Sequence, residues 1–110
     1  MNNQKVYITI FYARTLPSVQ IKEVVAGLEE EGVPFLLQKS DPSINFIELG
    51  WNAAMSSPLQ VGIGIDQHHH ICVHHQKLNQ THPYLKNTLQ NGRKFGQYAA
   101  RIVKGLPLYY

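Results

Sequence analysis

The stretch Val61-Gly62-Ile63-Gly64-Ile65 constrains the fold of this chain more than any other. It alternates as a strand does, with Val61, Ile63 and Ile65 on one face. The other face carries only Gly62 and Gly64 and is nearly bare. Glycine inside a strand weakens it and marks a place where another backbone comes close. Something must therefore lie flat on that face: a helix of this same domain is the first expectation, a docking partner the second. A dinucleotide fingerprint is excluded. The glycines lie within the strand, the third one is missing and no helix opens after them.

The flanking sequence supplies candidates for the covering layer. Lys5 to Tyr12 reads as a buried first strand, with Val6, Ile8 and Ile10 on one face and Tyr7, Thr9 and Phe11 on the other. Pro17-Ser18 opens a helix whose apolar stripe is Ile21, Val24, Val25 and Leu28. Gly32 stands where a left-handed cap is expected, and Pro34 blocks continuation. Phe35 to Gln38 is a short strand, and Asp41-Pro42-Ser43 a turn and helix start. A second helix runs through Ile44, Ile47, Leu49, Trp51, Ala53 and Ala54 and ends before Pro58. The glycine strand spans Gln60 to Asp66, and Gln67-His68-His69 reverses the chain into a fourth strand, His70 to His75. A polar loop is expected up to about Thr88. The last helix lines up Gly92, Phe95, Gly96, Ala99, Ile102, Val103 and Leu106, and stops at Gly105 and Pro107.

Strand–helix–strand–helix–strand predicts parallel pairing through crossovers, and the short turn after the third strand forces the fourth to run antiparallel. The expectation is a single α/β domain over residues 1–110. It has three layers: a mixed, mostly parallel sheet of about four strands with helices on both faces. No apolar run approaches the roughly 18 residues of a membrane span. The N-terminus shows no signal-peptide pattern, and the single cysteine cannot close an internal disulfide; both fit a cytoplasmic protein.

Glu29, Glu30 and Glu31 crowd the end of the first helix. A helix C-terminus is itself partly negative, so each acid there costs about 0.3–1 kcal/mol when exposed. Water can screen such an end. Alternatively, one carboxylate reaches a cation supplied by a partner. A lone carboxylate cannot hold a hard divalent ion, so any metal would be shared across an interface.

The histidines make a second candidate. His70, Cys72 and His74 share one face of the fourth strand, and imidazole and thiolate are good zinc or copper ligands. That pattern defines an alternative function, a small metal-binding protein. A Cys–His nucleophile is not supported, because side chains on one strand splay in parallel and no orienting third group is evident. Only seven acids exist and five of them (Glu23, Glu29, Glu30, Glu31, Glu48) sit on helices, which disfavours a paired-carboxylate hydrolase. Arg93, Gln97, Arg101 and Lys104 form a polar stripe on the last helix, read as a solvated face; without interleaved aromatics it does not argue for nucleic acid.

Three blocks stand in order along the chain. They are Gly27-Leu28-Glu29-Glu30-x-Gly32-Val33-Pro34, Ser56-Ser57-Pro58-Leu59-x-Val61-Gly62-Ile63-Gly64, and Asn91 to Pro107 with Gly96, Ala99, Ala100, Val103, Lys104 and Leu106-Pro107. Together they resemble the small subunit of the diol/glycerol dehydratase reactivating factor. The resemblance implies a fold like the anticodon-binding domain and a subunit without catalysis of its own. It implies two partners: a large, chaperone-like ATPase subunit that carries ATP or ADP, and the adenosylcobalamin-dependent dehydratase. The small subunit would exchange with the dehydratase medium subunit so that damaged cobalamin leaves. The resemblance places a divalent ion such as Mg at the large-subunit interface, ligated by Glu30 with Glu29 and Glu31 beside it. Glu31 stands where relatives often carry an uncharged residue, which keeps it as a second candidate. Propanediol or glycerol as the dehydratase substrate, self-association of the isolated chain and residence in a bacterial microcompartment are left open.

Overall fold

The computed structural model describes residues 6–108. The expected strand start at Lys5 lies outside them. β1 (Ile8–Ala13) is almost wholly buried. α1 (Ser18–Glu30) buries Ile21, Val24, Gly27 and Leu28. Its end is a Schellman closure around Gly32, whose φ is +72°. The Gly32 amide donates to the Glu29 carbonyl at 3.1 Å and the Val33 amide to the Leu28 carbonyl at 3.2 Å. β2 (Phe35–Ser40) follows and lies at one edge of the sheet.

α2 (Phe46–Ser56) starts later than the turn at Asp41-Pro42-Ser43. Asp41 spends its carboxylate on that turn instead, accepting from the Ser43 amide and hydroxyl, both at 2.8 Å. Asn45 caps the helix by accepting from the Glu48 amide at 2.9 Å. β3 (Val61–Ile65) and β4 (His70–His75) are both central. β5 (Leu85–Thr88) replaces the end of the expected loop. A short 3-10 turn then leads into α3 (Gly92–Lys104).

The sheet order is β2-β1-β3-β4-β5, so the described residues form five strands rather than four. β1 pairs in parallel with β2 and β3, while β3–β4 and β4–β5 are antiparallel. The sheet is thus evenly mixed rather than mostly parallel. β5 escapes a sequence reading because it joins through its backbone while its side chains stay largely exposed.

α1 and α3 cover one face, over a core that includes Ile8, Ile10, Val61, Ile63, Ile71 and Val73. α2 covers the other, against β3, β4 and β1. The bare face of β3 is filled from within. A Cβ on Gly62 would lie 2.1 Å from the Ala54 nitrogen, and one on Gly64 would lie 2.2 Å from the Gly50 nitrogen. The first expectation for that face holds, and no partner is needed there. Among the described residues no helix is long and apolar enough to cross a membrane.

Candidate functional site

α1 and α3 meet along glycines. A Cβ on Gly27 would lie 2.1 Å from the Arg93 carbonyl oxygen, and one on Gly96 2.2 Å from that of Val24. With no side chain at these points the helix axes come close, and the outward ridges of both helices fall within reach of each other. The acidic end of α1 then faces the polar stripe of α3.

Glu30 is gripped on both oxygens. Arg93 donates from Nε to Oε1 at 3.2 Å and from Nη2 to Oε2 in a short contact, while Gln97 donates to Oε1 at 2.8 Å. Arg93 also extends Nη1 toward Glu23 Oε1 at 3.4 Å. Glu31 receives Lys104 Nζ at 3.3 Å and Arg101 Nη1 at 3.5 Å. Glu29 is exposed and makes no ion pair among the described residues. The contacts from Arg93 and then Gln97 hold the Glu30 carboxyl below its ordinary range, so it is ionised at neutral pH. Exposed pairs of this kind add little to stability. Their effect is to aim a charged group at a fixed place on the surface.

The three glutamates stand out in the sequence, whereas the α3 stripe reads there as a solvated face. Arg93 and Gln97 belong to the same site, and the opposite charges of the two helix surfaces were the available signal. Asp66 does not stand out in the sequence. Its buried carboxylate shapes the histidine turn, accepting from the His68 and His70 amides at 2.9 and 3.0 Å and meeting His70 Nδ1 at 3.2 Å.

A carboxylate offers about four acceptor positions. Three on Glu30 are taken, which leaves one on Oε2 for an outside cation. Among the described residues no group of three or more His, Cys, Asp or Glu side chains could hold a metal ion. The residues present therefore fit a divalent ion only as one carboxylate contributed to a shared site.

The strand of His70, Cys72 and His74 does not make a chelate. The three do share a face, but Cys72 and His74 are buried on it under α2, while His70 stays about half exposed at its end. Cys72 is buried with its Sγ donating to the Phe46 carbonyl at 3.2 Å, and burial pushes the thiol up to about 12. His74 is fully buried. Its Nδ1 accepts from the His75 amide at 2.9 Å and its Nε2 donates to the Gln80 carbonyl at 3.0 Å. Both ligand atoms of that ring are spent on structure, and the thiol cannot ionise near neutral pH. His70 Nδ1 is directed at Asp66, and its ring lies 5.2 Å from that of Phe46.

Residues 7–109 match the model of the family described as dehydratase medium subunit. The chain belongs to this family, among the small subunits of dehydratase-reactivating factors. It is 44% identical over 89 residues to the propanediol dehydratase-reactivating factor small subunit of Salmonella typhimurium, covering 77% of this chain and 75% of that one. It is 42% identical over 90 residues to the diol dehydratase-reactivating factor small subunit of Klebsiella michiganensis, covering 78% of this chain and 70% of the relative. A probable glycerol dehydratase-reactivating factor small subunit from Citrobacter freundii is 31% identical over 101 residues, 88% of this chain and 86% of that one. Among solved structures, a glycerol dehydratase reactivase superimposes with a TM-score of 0.89 at 32% identity, over 96% of this chain and 98% of that one. A diol dehydratase-reactivating factor complexed with ADP and Mg2+ gives a TM-score of 0.87 at 36% identity, over 97% of this chain and 100% of the other.

Proposed function

We propose that this chain is the non-catalytic small subunit of an ATP-dependent, chaperone-like reactivating factor for an adenosylcobalamin-dependent diol or glycerol dehydratase. The near end-to-end superposition on reactivase chains carries the reading. In it, a large ATPase subunit holds the ATP or ADP, and this chain occupies a seat on that subunit. It trades places with the dehydratase medium subunit, and the loosened dehydratase releases damaged cobalamin. The match to a family described by the dehydratase medium subunit supports the exchange, since one fold then serves both seats. The higher identity to propanediol and diol relatives, 42–44% against 31% for the glycerol one, favours a diol substrate for the dehydratase. Work in the cytoplasm, with or without a bacterial microcompartment, fits the role.

The acidic end of α1, Glu29 to Glu31, is the interface, and Glu30 is the carboxylate given to a divalent ion such as Mg2+ shared with the large subunit. The ion would bridge the two chains. Gln97 keeps the carboxylate turned outward, and the open position on Oε2 is where a cation can approach. Glu30→Ala should weaken binding to the large subunit about tenfold or more and abolish its dependence on divalent ion. The circular dichroism of the isolated chain should not change. Titration calorimetry with and without chelator decides the matter: binding that ignores both the substitution and the chelator removes Glu30 from the interface. Failure of the intact chain to bind either the large subunit or the dehydratase ends the whole reading.

A further inference from the structure

Arg93 has no place in the reading above, yet it makes the largest claim on Glu30. Its guanidinium forks across both carboxylate oxygens, through Nε to Oε1 at 3.2 Å and through Nη2 to Oε2. Planar two-point contact is the mode in which arginine binds a carboxylate most firmly. A divalent ion competes for the same negative charge. Mg2+ needs oxygens at about 2.0–2.1 Å in near-octahedral order, and a guanidinium lying on its ligand would repel it. The cation and Arg93 cannot both keep full contact with Glu30.

The surroundings provide for Arg93 to move. Glu23 lies seven residues before Glu30, and its Oε1 is already 3.4 Å from Arg93 Nη1. That spacing is about two helical turns, so both carboxylates sit on the same side of α1. Gln97 holds Oε1 of Glu30 independently at 2.8 Å, so the carboxylate stays aimed when the arginine leaves. Arg93 and Glu23 are half-exposed or more, which leaves both side chains room in solvent to swing.

We propose that Arg93 is the resident counterion of Glu30, displaced onto Glu23 when a divalent cation carried by the partner docks, and that this displacement holds the partner's affinity down. The inference rests on Glu30 being the subunit's contribution to a shared ion site. It gives that site a function beyond adhesion. A subunit that must be exchanged gains from a contact that has an internal substitute. On release, Arg93 closes back onto Glu30, and the carboxylate is never left unpaired.

The test uses the full chain and its large subunit. Arg93→Met keeps the alkyl stem and removes the charge. It should lower the Mg2+ concentration for half-maximal complex formation by about three- to tenfold and slow dissociation. Glu23→Gln removes the place to which Arg93 retreats and should raise that concentration. In the isolated chain, Arg93→Met should raise the Glu30 carboxyl pKa measured by 13C NMR. Arg93→Met combined with Glu30→Gln should show no gain in affinity. A Mg2+ requirement that is unchanged or raised in Arg93→Met overturns the proposal, as does a gain that survives in the double variant or an unmoved Glu30 pKa. Glu30→Gln alone separates the two layers of argument. If it leaves the Mg2+ dependence intact, the ion site itself is wrong and the counterion role falls with it. If it abolishes the dependence while Arg93→Met changes nothing, only the counterion role fails.

Discussion

α2 lies against β3 with backbone touching backbone, because Gly62, Gly64 and Gly50 leave nothing between helix and strand. On the opposite face α1 and α3 also close on glycines, but they carry a polar, mostly charged ridge outward: Glu23, Glu30, Arg93 and Gln97. The two faces solve different problems. Van der Waals contact at fixed backbone has one solution and tolerates no substitute, since interiors are packed like crystals. Exposed charge pairs have several solutions of similar energy, as Arg93 shows by touching two carboxylates at once. The α2 face is suited to holding the fold together, and the α1–α3 ridge to being re-paired. The exchange proposed for this chain would call on both.

The sharpest way to break this contrast is at Gly64. A Cβ there meets the Gly50 nitrogen at 2.2 Å and the Phe46 carbonyl oxygen at 2.3 Å, all backbone. No rotamer change can relieve that. Gly64→Ala should cost about 3 kcal/mol or more, or prevent folding, by urea denaturation. Gly27→Ala should cost less, about 1–3 kcal/mol, because α1 and α3 can slide apart at the surface. The clash is with the Arg93 carbonyl oxygen at 2.1 Å, so the slide also pulls Arg93 from Glu30. Equal costs at the two positions would mean that α1 and α3 are clamped as firmly as α2, and the contrast would fail.

Much of this architecture could be read from sequence where the signal is local. The Gly32 and Gly105 caps appear where expected, with φ of +72° and +70°, because a helix that ends this way needs a residue without a Cβ penalty. β4 matches its expected bounds of His70 to His75, set by a tight turn on one side. α2 starts at Phe46 and not at the Asp41-Pro42-Ser43 turn, because Asp41 and Asn45 can both bind backbone amides and sequence alone does not say which one caps a helix. The metal reading of His70, Cys72 and His74 has the right face and the wrong surroundings: alternation places side chains, but only packing shows that Cys72 and His74 are buried while His70 turns to Asp66. The Glu30 site was half legible. Three acids at a helix end are visible in the chain, but the meeting of Glu30 with a residue 63 positions away depends on the whole fold.

The smallest effect expected is on the acid dependence of stability, and it probes the ridge alone when Arg93 is changed. Glu30 and Asp41 both have carboxyls held below their ordinary values, Glu30 by Arg93 and Gln97, Asp41 by the Ser43 amide and hydroxyl. The folded chain therefore releases these protons more readily than the unfolded one. Their contribution is complete above the unfolded values of about 3.9–4.3 and is lost as pH falls through the lower folded values. His75 adds an earlier window. Burial first, and then Lys77 and His74, lower its pKa, so the unfolded chain takes up this proton first and stability begins to fall below about pH 6.5. A thermal midpoint followed from pH 8 to pH 3 should decline in two stages, each smaller than the loss from either glycine substitution. Arg93→Met should flatten only the second stage, leaving the part due to Asp41, and high salt should mimic it because these charges are exposed. If the second stage is identical in wild type and Arg93→Met, Glu30 gains nothing from its arginine in solution. The ridge would then be an ordinary solvated surface and not one held ready for a second cation.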